Sequence, residues 1–98
     1  MMRYEIILTP QAIQDIKRLS ARERTLVRNA IETHLRYEPN KVSRSRIKRL
    51  RNLKQPQYRL SVDDFRVFYD IEEMTVEVLA VVSKAAAEAW LMAKGEGQ

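Results

Sequence analysis

Cysteine is absent from the sequence, and glycine and proline are scarce for a chain of 98 residues. The absence of cysteine excludes a disulfide framework and a metal site built on thiolates. No segment has the roughly 18 consecutive apolar residues of a membrane-spanning helix, and the N-terminus lacks the apolar core of a signal peptide. We therefore expect a cytoplasmic protein that does not bind a membrane.

The residue types that hold common cofactors are also few. The chain has one histidine, His34, which excludes a cluster of histidine and cysteine ligands for a metal. It has two glycines, and so lacks the glycine-rich loop that binds a nucleoside triphosphate. We expect neither a metal nor an organic cofactor.

The composition is that of a folded protein, with 45% hydrophobic and 32% charged residues. A chain of this length can bury one core, and the sequence contains no internal repeat or low-complexity segment. It therefore predicts a single domain over residues 1–98.

Positive charge is concentrated in residues 41–59, which we call the basic block. The chain has a net charge of +5, and this segment contains no acid. A block of one sign attracts phosphate or an acidic partner, although a solvated loop has the same composition. Its arginines favour recognition, because a guanidinium binds phosphate through two hydrogen bonds. The cations of the basic block are Lys41, Arg44, Arg46, Lys48, Arg49, Arg51, Lys54 and Arg59.

Two amphipathic helices are predicted after a short strand at residues 4–8. Thr9 is the N-cap of the first helix, with Pro10 at its first position. Ser20 and Glu23 have the spacing of a capping box and start the second helix. The two helices are separated by a short break and predict a helical hairpin.

The second half of the chain is predicted to be mainly β-structure. The basic block reads as a loop leading into a short strand, and alternating sequence then predicts strands at residues 57–62, 65–71 and 75–82. Strong helix formers follow at residues 85–93. This order indicates an α+β fold with an antiparallel sheet of about four strands. The helical hairpin packs on one face of that sheet, and a short C-terminal helix ends the chain.

Alternation along these strands separates an inner face, toward the helical hairpin, from an outer face. On the outer face, Arg59 and Arg66 are expected to lie diagonally across two strands, about 7 Å apart at the backbone. Two guanidinium groups at this distance repel unless they hold an anion, or unless Asp70 or Glu77 on the same face neutralises them. The predicted inner face comprises Tyr58, Leu60, Val62, Phe65, Val67, Tyr69, Val76, Val78, Ala80 and Val82.

Three segments carry a family resemblance. Residues 48–53 (KRLRNL) form a basic stretch, residues 58–71 (YRLSVDDFRVFYDI) contain two strands around a tight polar turn, and residues 76–84 (VEVLAVVSK) contain the last strand. Together with the N-terminal ILTPQA, they resemble the RelE/ParE toxins of type II toxin–antitoxin systems. The resemblance extends over nearly the whole chain.

The resemblance implies a function as well as a fold. The RelE branch implies a metal-independent endoribonuclease that cleaves mRNA in the ribosomal A site and inhibits translation. Its expected partners are a cognate antitoxin, the ribosome and mRNA. The ParE branch implies instead a non-enzymatic toxin that inhibits DNA gyrase by binding. A basic RNA-binding module without toxicity is a third interpretation.

Catalytic residues are carried over by position in the resembling segments. Arg59 looks like the basic residue of the family's second strand, Arg66 like its central phosphate-binding arginine, and Lys84 like the lysine after its last strand. Two positions depart from the RelE branch: Ala85 stands in place of an arginine, and Gln57 in place of a lysine.

RNA contacts are expected along the basic block and near the C-terminus. Trp90 or Leu91 falls near the C-terminal tyrosine of the family. Trp90 could stack on a base, although packing against the sheet is the commoner role of such a residue. The expected RNA-binding residues are Lys48, Arg49, Arg51, Lys54, Gln57 and Trp90.

Cleavage of this type starts when the 2′-hydroxyl of RNA attacks the adjacent phosphate. The site must stabilise the added negative charge and move two protons. Arg59, Arg66 and Lys84 suit charge stabilisation, but the sequence does not identify the general base. His34 borders the apolar stripe of the second helix and is expected to pack there. Tyr69 faces the predicted core.

Overall fold

The computed structural model describes residues 2–51 and 53–96. Strands and helices occur in the predicted order, and a short strand, β2, lies inside the basic block. The elements are β1 (Glu5–Leu8), α1 (Pro10–Lys17), α2 (Ala21–Leu35), β2 (Ile47–Arg49), β3 (Tyr58–Val62), β4 (Phe65–Glu72), β5 (Thr75–Ser83) and α3 (Lys84–Glu96).

The strands form one five-stranded mixed sheet in the order β1-β5-β4-β3-β2. The prediction of an antiparallel sheet of about four strands is therefore wrong in two details. Strand β1 joins the sheet parallel to β5, with Glu5 opposite Thr75 and Leu8 opposite Val78. The two helices between β1 and the rest of the sheet act as the crossover that a parallel pair requires. Strand β1 thereby pairs the edge that β5 would otherwise leave open.

The predicted starts of both N-terminal helices are confirmed. The Thr9 hydroxyl accepts a hydrogen bond from the amide of Ala12 at 3.2 Å. At α2, Ser20 and Glu23 form a reciprocal capping box, which satisfies two amides that lack a partner within the helix. Side chains of both helices pack on the inner face of the sheet. The buried core consists of Ala12, Ile16, Val27, Ile31, Leu35, Ile47, Leu60, Val62, Val67, Tyr69, Val76, Val78 and Val81.

The prediction for the inner face fails in the second half of β5. Phe68 pairs with Ala80 and Tyr69 with Val78, so Leu79 is an extra residue in β5. This β-bulge shifts the alternation by one position. As a result Val81 joins the core in place of Ala80, while Val82 pairs with Arg66 on the outer face.

The outer face is partly covered by α3. Phe68 on this face is fully buried, and the ring of Trp90 stacks on it with centroids 4.8 Å apart. An aromatic pair of this size buries much of the apolar area that a small sheet exposes. The C-terminal helix therefore forms a second, smaller apolar layer. Within residues 2–51 and 53–96, no helix has the length and apolar content needed to cross a membrane.

Candidate nucleic-acid interface

Three basic side chains meet on the outer face, and we call them the cation cluster: Lys48, Arg59 and Arg66. Arg59 is the central member, because it pairs with Lys48 on β2 and with Phe68 on β4. Arg66 is opposite Ser61 and thus diagonal to Arg59, as predicted. Tight pairing of β3 with β4 fixes this arrangement, so the side chains of the cluster start from a rigid sheet.

Arg59 lies in a setting that is unfavourable for an isolated cation. Its side chain is half-buried, and its Nε atom is buried without a hydrogen-bond partner in the described part of the chain. Burial, and to a smaller extent the charge of Arg66, lower the pKa of Arg59 below its usual value. Both effects are relieved when an anion binds, because an anion supplies a hydrogen-bond acceptor and an opposite charge.

Arg66 is held in place by the turn between β3 and β4. Its Nη1 donates to the backbone carbonyls of Asp63, at 2.9 Å, and Phe65, at 2.8 Å. Asp63 has a positive φ of 51°, so these bonds support a turn with left-handed backbone. The guanidinium is therefore ordered before any ligand arrives, which lowers the entropic cost of binding.

Neutralisation of the arginines by a nearby acid is not observed. Asp70 instead accepts hydrogen bonds from the Gln55 Nε2 and the Gln57 amide, both at 2.7 Å. Over residues 2–51 and 53–96, neither Arg59 nor Arg66 has an acidic side chain within ion-pair distance. The cation cluster thus gives the outer face an excess of positive charge.

Gln57 lies apart from the cation cluster, and its predicted RNA contact stays a prediction. The side-chain Oε1 accepts a hydrogen bond from the Ile71 amide at 2.9 Å. Gln57 also lines a groove of about 500 Å³ together with Asp70, Glu72 and Glu77. An acidic groove does not attract phosphate, and the contact that the structure shows for Gln57 is its bond to Ile71 on β4.

Lys84 follows directly after β5, the strand in which Val82 is the partner of Arg66. It is the first residue of α3, and its amide donates to the Asp64 carbonyl at 2.6 Å. The side chain is exposed, two residues beyond Val82, which is the partner of Arg66 in β5. Its predicted catalytic role stays a prediction.

The other predicted RNA contacts on the basic block are exposed, but they differ in their surroundings. The guanidinium of Arg49 lies 4.9 Å from the centre of the Tyr58 ring, in a cation–π contact. Arg51 and Lys54 extend from the segment between β2 and β3. Trp90 uses one face of its ring to pack on Phe68, as the packing alternative expected, and base stacking by Trp90 stays a prediction.

Neither candidate general base reaches the cation cluster. His34 lines a separate groove at the end of α2, where burial and the charge of Arg46 lower its pKa. Tyr69 is fully buried and its hydroxyl donates to the Pro39 carbonyl at 2.6 Å. Burial raises the pKa of Tyr69, so its hydroxyl stays protonated. No group of three or more acidic or histidine side chains suited to a metal occurs in the described residues.

Comparison with known proteins agrees with this geometry. The model of a family described as the ParE toxin of type II toxin–antitoxin systems matches residues 6–87. The chain belongs to the RelE/ParE family of type II toxins. A search of curated proteins found no significant match.

Solved structures of RelE toxins in complex with RelB share the fold. The matched chain of the RelBE2 complex from Mycobacterium tuberculosis is 26% identical to this chain and has a TM-score of 0.74. The match covers 87% of this chain and 95% of that chain. RelE from Methanococcus jannaschii, in its complex with RelB, is 15% identical, with a TM-score of 0.65 over 86% and 96%. The RelE–RelB complex from Pyrococcus horikoshii is 19% identical, with a TM-score of 0.63 over 85% and 97%. The last two similarities concern the fold alone.

Proposed function

We propose that this toxin inhibits translation by cleaving mRNA on the ribosome, in the cytoplasm. The observation that supports this proposal best is the cation cluster, in which Arg59 and Arg66 lie together without an acidic partner. Such a site suits a ligand that carries successive negative charges, as the RNA backbone does. As the phosphate acquires a further charge during attack by the 2′-hydroxyl, cations already held in place stabilise that charge.

The protein contributes mainly charge stabilisation and orientation to the proposed reaction. Arg66 is ordered by the turn and Arg59 by the sheet, and Lys84, at the start of α3, is proposed to stabilise the leaving oxygen. Since His34 and Tyr69 are remote from the cluster, the ribosome-bound RNA has to orient the 2′-hydroxyl and the proton acceptor. Orientation can contribute up to about 7–11 kcal/mol to such a reaction. A dependence on the ribosome is the expected consequence.

An antitoxin is the proposed protein partner. The solved relatives from Mycobacterium tuberculosis and Pyrococcus horikoshii are themselves complexes with their antitoxins. The exposed basic block suits a partner with an acidic or amphipathic segment, because opposite charges speed and orient association. We expect the product of a neighbouring gene to co-purify with the toxin. Recovery of the toxin alone at low salt, from cells that express both, would count against this pairing.

Inhibition of DNA gyrase by binding is the second candidate function. It is favoured by the match to the ParE family and by the distance of both candidate bases from the cation cluster. Ala85 also favours this function, because the RelE branch has an arginine at this position. In this case the cation cluster would contact a protein or DNA surface without cleavage.

Induction of the toxin in growing cells distinguishes the two functions. The expected result is a rapid loss of translation and new 5′ ends within translated transcripts, both absent for Arg59→Ala. Arg28→Ala is the matched control, because Arg28 is an exposed arginine on α2, away from the outer face. Arrest of DNA synthesis with intact transcripts would overturn the ribonuclease and support gyrase binding. Binding of RNA without either effect would support the third interpretation, a non-toxic module.

A further inference from the structure

A second concave surface lies outside the cation cluster, at the end of α2. This groove has a volume of about 390 Å³. His34 and Tyr37 line it from α2 and its C-terminal end, and Lys41 and Arg46 line it from the basic block. Its volume falls within the range of small-molecule sites, roughly 300–1,000 Å³. The chemistry proposed above uses none of these four side chains.

We propose that this groove, the α2 groove, binds one nucleotide of single-stranded RNA, with the base on Tyr37 and a phosphate between Lys41 and Arg46. The inference rests on the proposed function only in taking RNA as the ligand. It assigns the groove to binding and not to cleavage.

Tyr37 has the exposure that a stacking platform needs. Tyr37 lines the groove and is 46% exposed, although an aromatic residue is usually more buried. Bases of any sequence stack on such a ring, because every base has a π-face. Lys41 and Arg46 are both exposed beside it and can reach the phosphates that flank the stacked base.

Basic residues along β2 lead from the groove to the cation cluster. The Arg46 carbonyl accepts a hydrogen bond from the Ser61 amide at 2.8 Å, which places Arg46 at the start of β2. Two residues along the same strand, Lys48 pairs with Arg59 in the cluster. Strand β2 is the edge of the sheet, so no further strand of the described sheet covers the path between the two sites. An RNA strand that leaves the cluster can therefore cross this edge and reach the groove.

The groove contains one acidic side chain, and an acidic protein segment is an alternative ligand to RNA. Glu38 also lines the groove, and its carboxylate lies 3.8 Å from Lys41, so these two charges offset each other and Arg46 is the main cation for a phosphate. An acidic protein segment would be attracted by the same cations. RNA fits better, because a nucleotide supplies both the planar group for Tyr37 and the phosphate for Arg46.

His34 makes a direct test possible, because it is the only histidine and its NMR signals need no assignment among others. Burial and the charge of Arg46 lower its pKa in the free protein, and Tyr37, Glu38 and Lys41 are the other titratable groups of the groove. A phosphate beside Arg46 offsets that charge, so binding is expected to raise the pKa of His34. The probe is a 2′-O-methyl RNA hexamer, which has no 2′-hydroxyl and cannot be cleaved.

The expected results separate the base from the phosphate. The hexamer shifts the His34 signals, and an abasic hexamer of the same length binds more weakly. Tyr37→Ala lowers hexamer affinity roughly 10-fold and removes the preference over the abasic strand. Arg46→Gln weakens both strands. Arg28→Gln, an equal loss of charge outside the groove, leaves the His34 response unchanged.

Two results would overturn the inference. One is hexamer binding that leaves the His34 signals in place, which would confine RNA to the cation cluster. The other is a His34 shift caused by an acidic peptide and not by the hexamer, which would assign the groove to a protein partner. Mapping of transcript ends tests the proposed function separately. A shifted His34 in a protein that cleaves no transcript would support the α2 groove and reject the ribonuclease.

Discussion

The carboxylate of Asp15 on α1 accepts a hydrogen bond from the backbone amide of Val81 on β5, at 2.9 Å in the buried core. The bond lies just beyond the end of β1, where Thr9 makes the last backbone contact with β5 through Val78. Asp15 thus supplies the hydrogen-bond acceptor that a neighbouring strand would otherwise provide beside the β-bulge. The bulge determines which β5 residues face the outer side. It thereby also determines the position at which α3 starts. A buried acid of the first helix therefore supports the geometry of the outer face.

The first prediction concerns this bond. Asp15→Ala leaves the Val81 amide buried without an acceptor and is expected to lower the free energy of unfolding by about 2–3 kcal/mol. Asp15→Asn retains an acceptor oxygen and is expected to cost less. Urea denaturation measures both. Gln11→Ala is the control, since it removes only the partially buried bond to the other Asp15 oxygen. A loss in Asp15→Ala no larger than in this control would show that the bond is unimportant.

The second prediction concerns the packing of α3. Trp90 is the only tryptophan, so its fluorescence reports on the contact with Phe68. Phe68→Leu keeps an apolar side chain but removes the aromatic stacking, and is expected to shift Trp90 emission to longer wavelength as the indole gains water. Amide exchange in α3 should become faster in the same variant. Phe65→Leu, which alters a partly buried ring elsewhere in β4, should change neither observable. An unchanged spectrum in Phe68→Leu would contradict the stacked arrangement.

The third prediction concerns pH. The pKa of His34 is lowered in the folded protein, whereas the unfolded chain has the ordinary value of about 6.5. The unfolded state therefore binds more protons below this pH, so the free energy of unfolding should fall as the pH is lowered from about 7 to 5.5. His34→Gln should flatten this part of the profile. Equal pH dependence in the two proteins would mean that His34 titrates as in the unfolded chain.

The helices and most of the sheet could be predicted from the sequence, because local signals determine them. Thr9, Ser20 and Glu23 are capping residues whose bonds lie within one turn of the chain. The turn at Asp63 and Asp64 sets the register of β3 with β4, and this placed Arg59 diagonal to Arg66. These relationships need no information from distant parts of the chain.

The errors arise where distant segments meet. Beside the bulge at Leu79, the Val81 amide donates its hydrogen bond to Asp15, which lies 66 positions earlier in the chain. No local pattern in β5 indicates this bulge. The parallel pairing of β1 likewise depends on a free edge of β5. Gln57 belongs to the basic block in the sequence, but folding places its side chain beside Ile71 on β4. The α2 groove could not be predicted because His34 and Arg46 are close only after folding. The one signal in the sequence was a tyrosine, Tyr37, shortly before the basic block.

The fourth prediction compares two arginines of the basic block. Arg49 makes a cation–π contact with Tyr58, while Arg51 is exposed. Removal of either charge is expected to weaken RNA binding and to lower the slope of log affinity against log salt by roughly 0.7. Arg49→Ala should also cost about 0.5–1 kcal/mol of stability, as loss of an exposed cation–π contact does. Arg51→Ala should leave stability unchanged. Binding that does not depend on salt would exclude the basic block as the RNA surface.

The last prediction concerns Arg66, whose guanidinium has both a structural and a proposed catalytic contact. Arg66→Ala removes two bonds to turn carbonyls near the surface and is expected to cost about 1 kcal/mol of stability. If the guanidinium also stabilises charge on the phosphate, cleavage should fall by roughly 100-fold or more. Arg66→Lys keeps the charge but lacks the planar fork, so it should recover only part of the activity.

Stability and activity of the same proteins have to be measured together, because a destabilised turn could also lower activity. Urea denaturation gives the first quantity, and ribosome-dependent cleavage at a temperature where all variants are folded gives the second. Asp63→Val provides a control for the turn, since a β-branched residue disfavours the positive φ at this position while Arg66 is kept. If that variant cleaves normally, a loss in Arg66→Ala belongs to the guanidinium and not to the turn. Wild-type cleavage by folded Arg66→Ala would remove Arg66 from the site and favour the gyrase-binding function.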